Sequence, residues 1–240
     1  MKKILSLLII CWSMQLFAQK QVDNQFNSWT TYSGNHKIGN QYSIHTLYSL
    51  RKNEFLKNWQ QSLLRIGLNY QLNDHFILTA GYDWVENFSY GKQPIAEQTT
   101  EQRIFEQIVI KNSVGRVVIE QLYKLEQRFI GDGDNKDFEG RFRYNVSFNI
   151  PLNHNNLIDK TWFISGFNEI FINLGQVQNN YYFNQNWAYL GLGYKVDKAL
   201  AFKLGYMNQY FPKTDGLNIE NNHTLMLNAI YNMDFIKKVD

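Results

Sequence analysis

The chain has 240 residues and a formal net charge of +3, with 16% aromatic residues, three prolines and one cysteine. Lys2 and Lys3, at the start of an apolar leader, supply two of those net charges, so nucleic acid and acidic partners are excluded despite a sequence pI near 8.7. Mean hydropathy is −0.41 and no stretch beyond the leader has 18 consecutive apolar residues, which excludes spanning helices but not spanning strands.

The N-terminus, MKKILSLLIICWSMQLFAQ, has a basic start, a mostly apolar run from Ile4 to Phe17 and a small residue, Ala18. This is the pattern of a secretory signal peptide, residues 1–18, which leaves residues 19–240 as one exported domain. The only cysteine, Cys11, lies in the leader, and bulky Ile10 before it argues against a lipid-attachment site. An exported domain without cysteine forms no disulfide and relies on backbone pairing and burial.

Eleven strand-like segments follow, at residues 25–33, 38–51, 59–72, 75–88, 101–111, 116–130, 137–150, 160–174, 184–196, 199–211 and 221–235. Gly, Asn, Asp and Pro punctuate the junctions. Tight connections fall near 35, 74, 113 and 197, a medium one near 155, and longer ones near 55, 94, 133, 178 and 216. The segment 137–150 shows the pattern best. Its even positions from Phe138 to Ile150 are aromatic, aliphatic or Gly, and its odd positions from Asp137 to Asn149 are charged or polar. Alternation over 14 residues exceeds the usual soluble strand of about 5–6 residues and suffices for a bilayer crossing of about 9–11.

These features predict an all-β fold: a single antiparallel transmembrane meander β-barrel with short periplasmic turns and longer extracellular loops. Bacterial single-chain barrels have even strand counts, so eleven segments predict ten or twelve strands, with 25–33 the segment that does not fit. Tyr70, Trp84, Trp162, Tyr194 and Tyr231, near strand ends, suit interfacial girdles. Two hairpins share a spacing, Tyr70 to Gly81-Tyr82 and Tyr194 to Gly205-Tyr206, with glycines placed to relieve crowding where the sheet curves.

The face opposite the apolar one carries Arg65, Asp83, Arg116, Glu120, Lys124, Glu126, Arg128, Glu139, Arg141, Arg143, Glu169, Lys195 and Lys203. An Arg or Lys facing lipid at the midplane costs about 2–4 kcal/mol, so these residues are expected to form a lumen charge network. With mixed signs it either packs a narrow lumen or lines a small aqueous path; it forms no single-sign selectivity ring.

The Leu68–Trp84 hairpin ending in GYDW, the Glu101-Gln102-Arg103 strand start, Glu126-Gln127-Arg128-Phe129, Phe142-Arg143-Tyr144 before Pro151-Leu152, FISGFNEIFIN at 163–173 and Asn222-His223-Thr224-Leu225 carry a resemblance. With Trp29 and Gly205-Tyr206-Met207-Asn208-Gln209, they make the chain resemble the bacterial outer-membrane family known as domain of unknown function 2490. The resemblance implies an outer-membrane β-barrel and transfers no catalytic residues.

Residues bearing chemistry are sparse. Asp132-Gly133-Asp134-Asn135-Lys136-Asp137 has carboxylates for a hard cation, but Arg143 stands where an EF-hand loop needs its twelfth-position Glu, so a solvated turn is expected and no metal site. His36, His45, His75, His154 and His223 show no metal-ligand spacing. A hydrolase pairing of Ser165 or Ser147 with His223 can be drawn, but no local signature supports either. The expected function is a non-enzymatic outer-membrane barrel, structural or passing small solutes, with no cofactor. Its expected partners are outer-membrane lipid, the outer-membrane assembly machinery and a small solute. A lipid-acting barrel enzyme and a soluble lipocalin-like binder are the alternatives.

Overall fold

Strands this long need partners along both edges, and closing the sheet on itself supplies them. In the computed structural model, which describes residues 20–90, 97–131, 136–175 and 181–236, the chain is one closed barrel. Its strands are β1 (Gln21–Lys37), β2 (Tyr42–Asn53), β3 (Asn58–Gln71), β4 (Phe76–Asn87), β5 (Thr99–Val114) and β6 (Val117–Ile130), followed by β7 (Asp137–Pro151), β8 (Thr161–Leu174), β9 (Phe183–Lys195), β10 (Leu200–Pro212) and β11 (Asn218–Tyr231). The expected leader, residues 1–18, lies outside the described residues.

The strand count corrects the expectation of ten or twelve: the barrel has eleven strands. Chain neighbours pair antiparallel around the wall, and β1 closes on β11 in parallel, from Gln21↔Asn218 to Ser33↔Ile230. With an odd number of alternating strands the first and last run the same way, so the seam must be parallel. Segment 25–33 belongs to a strand of 17 residues, the longest in the wall. It was hard to read because Asp23, Gln25 and Asn27 point inward as buried polar groups while outward Asn24 and Thr30 are polar too. Beyond the seam, Lys37 N donates to Met233 O (2.8 Å) and Phe235 N to Lys37 O (3.0 Å).

Connections 38–41, 72–75, 115–116, 152–160 and 196–199 lie at one end of the barrel, and 54–57, 88–98, 131–136, 175–182 and 213–217 at the other. The longest is in the second set, but 54–57, expected to be long, is a tight turn in which Glu54 and Phe55 take φ of 48° and 64°. Val114 pairs with Val117 across two residues, and Gly115 at φ 58° supplies the left-handed backbone that such a hairpin needs. No helix among the described residues is long and apolar enough to cross a membrane.

The outer wall is apolar over most of its circumference. Leu192, Leu204 and Leu227 stand side by side on β9, β10 and β11, all exposed. Near the 38–41 end, Tyr42 packs on Tyr70 (5.2 Å) and Trp162 on Tyr194 (4.7 Å). Toward the other end Trp84 donates through Nε1 to Glu86 (2.8 Å), an apolar ring with a polar handle. There a collar of outward amides begins: Asn168 with Asn186, and Asn208 to Asn221 to Asn24. One carboxylate breaks the belt. Glu106 points outward between Ile104 and Ile108, accepting a hydrogen bond from Gln127 Nε2 (3.1 Å).

Inside, the paired glycines have a defined purpose. Gly67 faces Gly81 and Gly191 faces Gly205 across their strands. A Cβ on Gly81 would lie 2.6 Å from Phe105 Cζ and 2.5 Å from Ile66 O, so the missing side chain makes room for the Phe105 ring. Tyr189 lies over Gly191 and Gly205 in the same way.

Candidate functional site

Strand register builds the lumen site. Arg65, Asp83, Arg103, Arg128 and Glu139 stand opposite one another on β3, β4, β5, β6 and β7. Side-by-side Arg103 and Arg128 would repel, and Glu101, two residues along β5, sits between them. It accepts from Arg103 Nε and Arg128 Nε, each at 2.5 Å. Asp83 takes the fork of Arg65 through Nε and Nη2, both at 2.6 Å, and Arg128 Nη1 reaches Glu139 at 2.6 Å. A second group centres on Glu126, which binds Arg141 Nη2 (2.6 Å) and Arg143 Nη1 (2.8 Å). Arg143 also reaches Glu169 (2.6 Å). Asp83, Glu101, Glu126 and Glu169 are all buried. Charges so far from water persist only with full pairing, which the forked guanidinium geometry provides.

Beside this wall lies an apolar cluster of four aromatic residues, Trp29, Phe171, Trp187 and Tyr189, with Met207 and Met226. Trp29 on β1 meets Trp187 on β9 edge-on at 5.1 Å, a contact across the lumen between strands that do not pair. Each tryptophan N–H is satisfied, Trp29 by Gln60 and Trp187 by Gln185, both at 2.9 Å. Cross-strand register sets Arg51 on Trp29, its guanidinium carbon 3.8 Å from the ring centre, and Arg143 on Phe171 at 4.5 Å.

The lumen holds a cavity of about 740 Å³. Tyr90, Tyr181 and Lys213 line it toward the 88–98 end, Arg51 and Arg143 line its middle, and Ser165, Lys203 and Ile230 line it toward the opposite end. At the first end, Tyr90 OH donates to Glu220 (2.7 Å) and Lys213 Nζ to the other oxygen of the same carboxylate (2.6 Å). Burial, reinforced by the Glu220 charge, pushes the Tyr90 phenol far above its ordinary range, so it stays a donor. Around it, buried amides bond to one another: Asn53 to Gln25 and Asn27, Asn222 to Gln209, and Gln209 to Gln185.

The predicted charges divide by place. Arg65, Asp83, Glu126, Arg128, Glu139, Arg141, Arg143 and Glu169 come together as described. Lys124 is buried with its ammonium 4.1 Å from the Phe105 ring centre, whose other neighbour is Arg65 at 4.7 Å. Glu120 pairs with Lys111 (3.4 Å) away from the buried groups, both partly exposed. Lys195 donates to Leu157 O (2.7 Å), and Lys203 lies 5.8 Å from the Phe163 ring centre. Arg116 is not in the lumen: it sits exposed in the 115–116 turn, because the strand predicted from 116 starts at Val117.

Sequence reasoning passed over Glu101 and Arg103 as lumen charges, and it passed over Arg51. Odd-numbered parity along β5 would have placed Glu101 and Arg103 inward beside Phe105. Ser147 and Ser165 line the cavity, whereas His223 is on the outer wall, stacked on Phe26 at 5.4 Å and bonded to Tyr206 OH at 2.6 Å. The wall separates the serines from that histidine. Among the described residues no group of three or more His, Cys, Asp or Glu could hold a metal, and residues 132–135 of the acidic loop lie outside them.

A family model described as "Protein of unknown function (DUF2490)" matches residues 26–221. An uncharacterized protein of Methylorubrum extorquens is 28% identical over 174 residues, covering 70% of this chain and 71% of its own length. Among solved structures, the siderophore receptor PirA from Pseudomonas aeruginosa aligns at 13% identity with a TM-score of 0.29, covering 73% of this chain and 32% of the receptor.

Proposed function

We propose a non-enzymatic outer-membrane role, admitting a small solute into the lumen, for this chain, which belongs to the DUF2490 family of proteins of unknown function. The observation that carries the reading is the division of the wall: leucine-rich and aromatic outside, ion-paired inside, around a cavity of about 740 Å³. An outward apolar face bounded by aromatic residues matches what a barrel needs in lipid, and the mixed charges suit a polar lumen rather than a reaction centre. The end bearing the 88–98 and 175–182 connections is assigned to the cell exterior, the opposite end to the periplasm. In this orientation the parallel seam starts β1 at the exterior end and finishes β11 at the periplasmic one. Outer-membrane lipid and the assembly machinery are the partners this placement requires.

Cell fractionation and planar-bilayer recording test the reading together. The protein is expected in the outer-membrane fraction. Reconstituted protein is expected to give discrete, small conductance steps, because the ion-paired wall and the Trp29–Trp187 cluster fill much of the bore. Recovery in the soluble periplasm would contradict the membrane placement, and silent bilayers would contradict passage.

A further inference from the structure

Arg51 differs from the other lumen arginines. Arg65, Arg103, Arg128, Arg141 and Arg143 each meet a carboxylate within 3 Å. The Arg51 side chain makes no hydrogen bond or ion pair with any described residue, and its Nε is buried without a partner. It is held by aromatic faces alone, 3.8 Å from the Trp29 ring centre and 5.4 Å from that of Trp187. A guanidinium stays charged at any physiological pH and presents a planar fork suited to an oxyanion. Arg51 is half-buried, facing the cavity, and a guanidinium withdrawn that far from water without a counter-charge is costly unless something else supplies that charge.

The surroundings supply none. Of the eight cationic side chains that line the cavity, Arg65, Arg103, Arg128, Arg141, Arg143 and Lys213 each engage a carboxylate, which leaves Arg51 and Lys203 without one among the described residues. Arg143 reaches the same tryptophan as Arg51, 5.8 Å from the Trp187 ring centre, so two guanidinium groups flank one indole. Trp29, Phe167, Phe171, Trp187 and Tyr189 give the same cavity an aromatic wall. Its volume, about 740 Å³, falls in the range of small-molecule pockets.

We infer that the lumen cavity is a binding site for a small organic oxyanion, its carboxylate or phosphate on Arg51 and its apolar body against Trp29 and Trp187. The inference rests on the reading of the lumen as solute-facing and adds the chemical class of the solute. Carboxylate and phosphate share the recognition by the guanidinium fork, and the probes below separate them.

Tryptophan fluorescence reads the site directly, because Trp29 and Trp187 flank Arg51. In the full chain carrying Trp12→Phe, Trp59→Phe, Trp84→Phe and Trp162→Phe, only these two indoles remain. Titration with benzoate, phenyl phosphate and uncharged benzyl alcohol in detergent is expected to give a saturable change with at least one anion. Benzyl alcohol is expected to bind at least tenfold more weakly than that anion. Arg51→Gln is expected to weaken anion binding at least tenfold while leaving benzyl alcohol within about twofold. Arg51→Lys keeps the charge but loses the fork and is expected to fall between. Unchanged heat-modifiable gel migration shows that each variant still forms the barrel, and Arg51→Lys serves if Arg51→Gln does not. Equal binding of benzoate, phenyl phosphate and benzyl alcohol, or wild-type affinity in the Arg51 variants, would overturn the anion assignment alone. Absence of saturable binding by all three probes would overturn the solute-facing lumen as well.

Discussion

Glu126→Ala is expected to destabilise the barrel by about 3–5 kcal/mol, the usual consequence of removing one partner from a buried ion pair. The carboxylate accepts from Arg141 and Arg143 together, and its removal leaves Arg141 without a carboxylate while Arg143 keeps only Glu169. Neither guanidinium can lose its proton to escape the cost. Urea unfolding in lipid vesicles measures it. Glu54→Ala, which breaks the exposed Glu54–Lys57 pair, is the control and is expected to change stability by less than about 1 kcal/mol. Equal effects at the two positions would mean that the ion-paired wall is hydrated rather than packed.

Leu204→Arg tests the opposite face. Leu204 is flanked by Leu192 and Leu227, exposed like itself, and no carboxylate stands beside it in the register. In vesicles the substitution is expected to cost about 2–4 kcal/mol, as for an arginine on the lipid face near the midplane. On a water-exposed wall the same change would stay within about 0.5 kcal/mol. Leu204 is a better probe than Leu125, whose cross-strand neighbour is Glu106, a carboxylate able to pair with an introduced arginine.

The two substitutions address features that were legible in the sequence to different degrees. Period-two alternation was plain in β7, where the even positions from Phe138 to Ile150 face outward and Arg141 and Arg143 inward, and Glu126 of β6 and Glu169 of β8 meet those arginines. The closure was not legible. β1 carries polar residues on both faces because buried amides fill its inner side, so no alternation marks its length, and a parity rule for strand number then argued against it. The parallel seam follows only once all eleven strands are counted.

Within the site, parity says which way a side chain points but not which residue it meets. That Glu101 lies between Arg103 and Arg128 depends on the β5–β6 register, and that Trp29 meets Trp187 depends on the chord across a closed barrel. Arg51 is the clearest case. It ends the predicted segment 38–51, and its meaning comes from what is missing around it, which a sequence cannot display. The glycines were legible by position and not by partner: Gly81 and Gly205 do relieve crowding, but against Phe105 and Tyr189. Glu106 runs against the assignment of strand charges to the lumen, and its acceptor role toward Gln127 accompanies its outward placement without explaining it.

The central claim is that the apolar face of the wall meets lipid and the ion-paired face meets a polar lumen. Because Cys11 is the only cysteine, Cys11→Ser gives a clean background for single spin labels at 142 to 149 along β7 in vesicles. The account predicts period-two accessibility: labels at Phe142, Tyr144, Val146 and Phe148 relaxed by oxygen dissolved in lipid, and labels at Asn145, Ser147 and Asn149 relaxed by a water-soluble nickel chelate or immobilised against it. Nickel access at the even positions equal to or above that at the odd ones would contradict it.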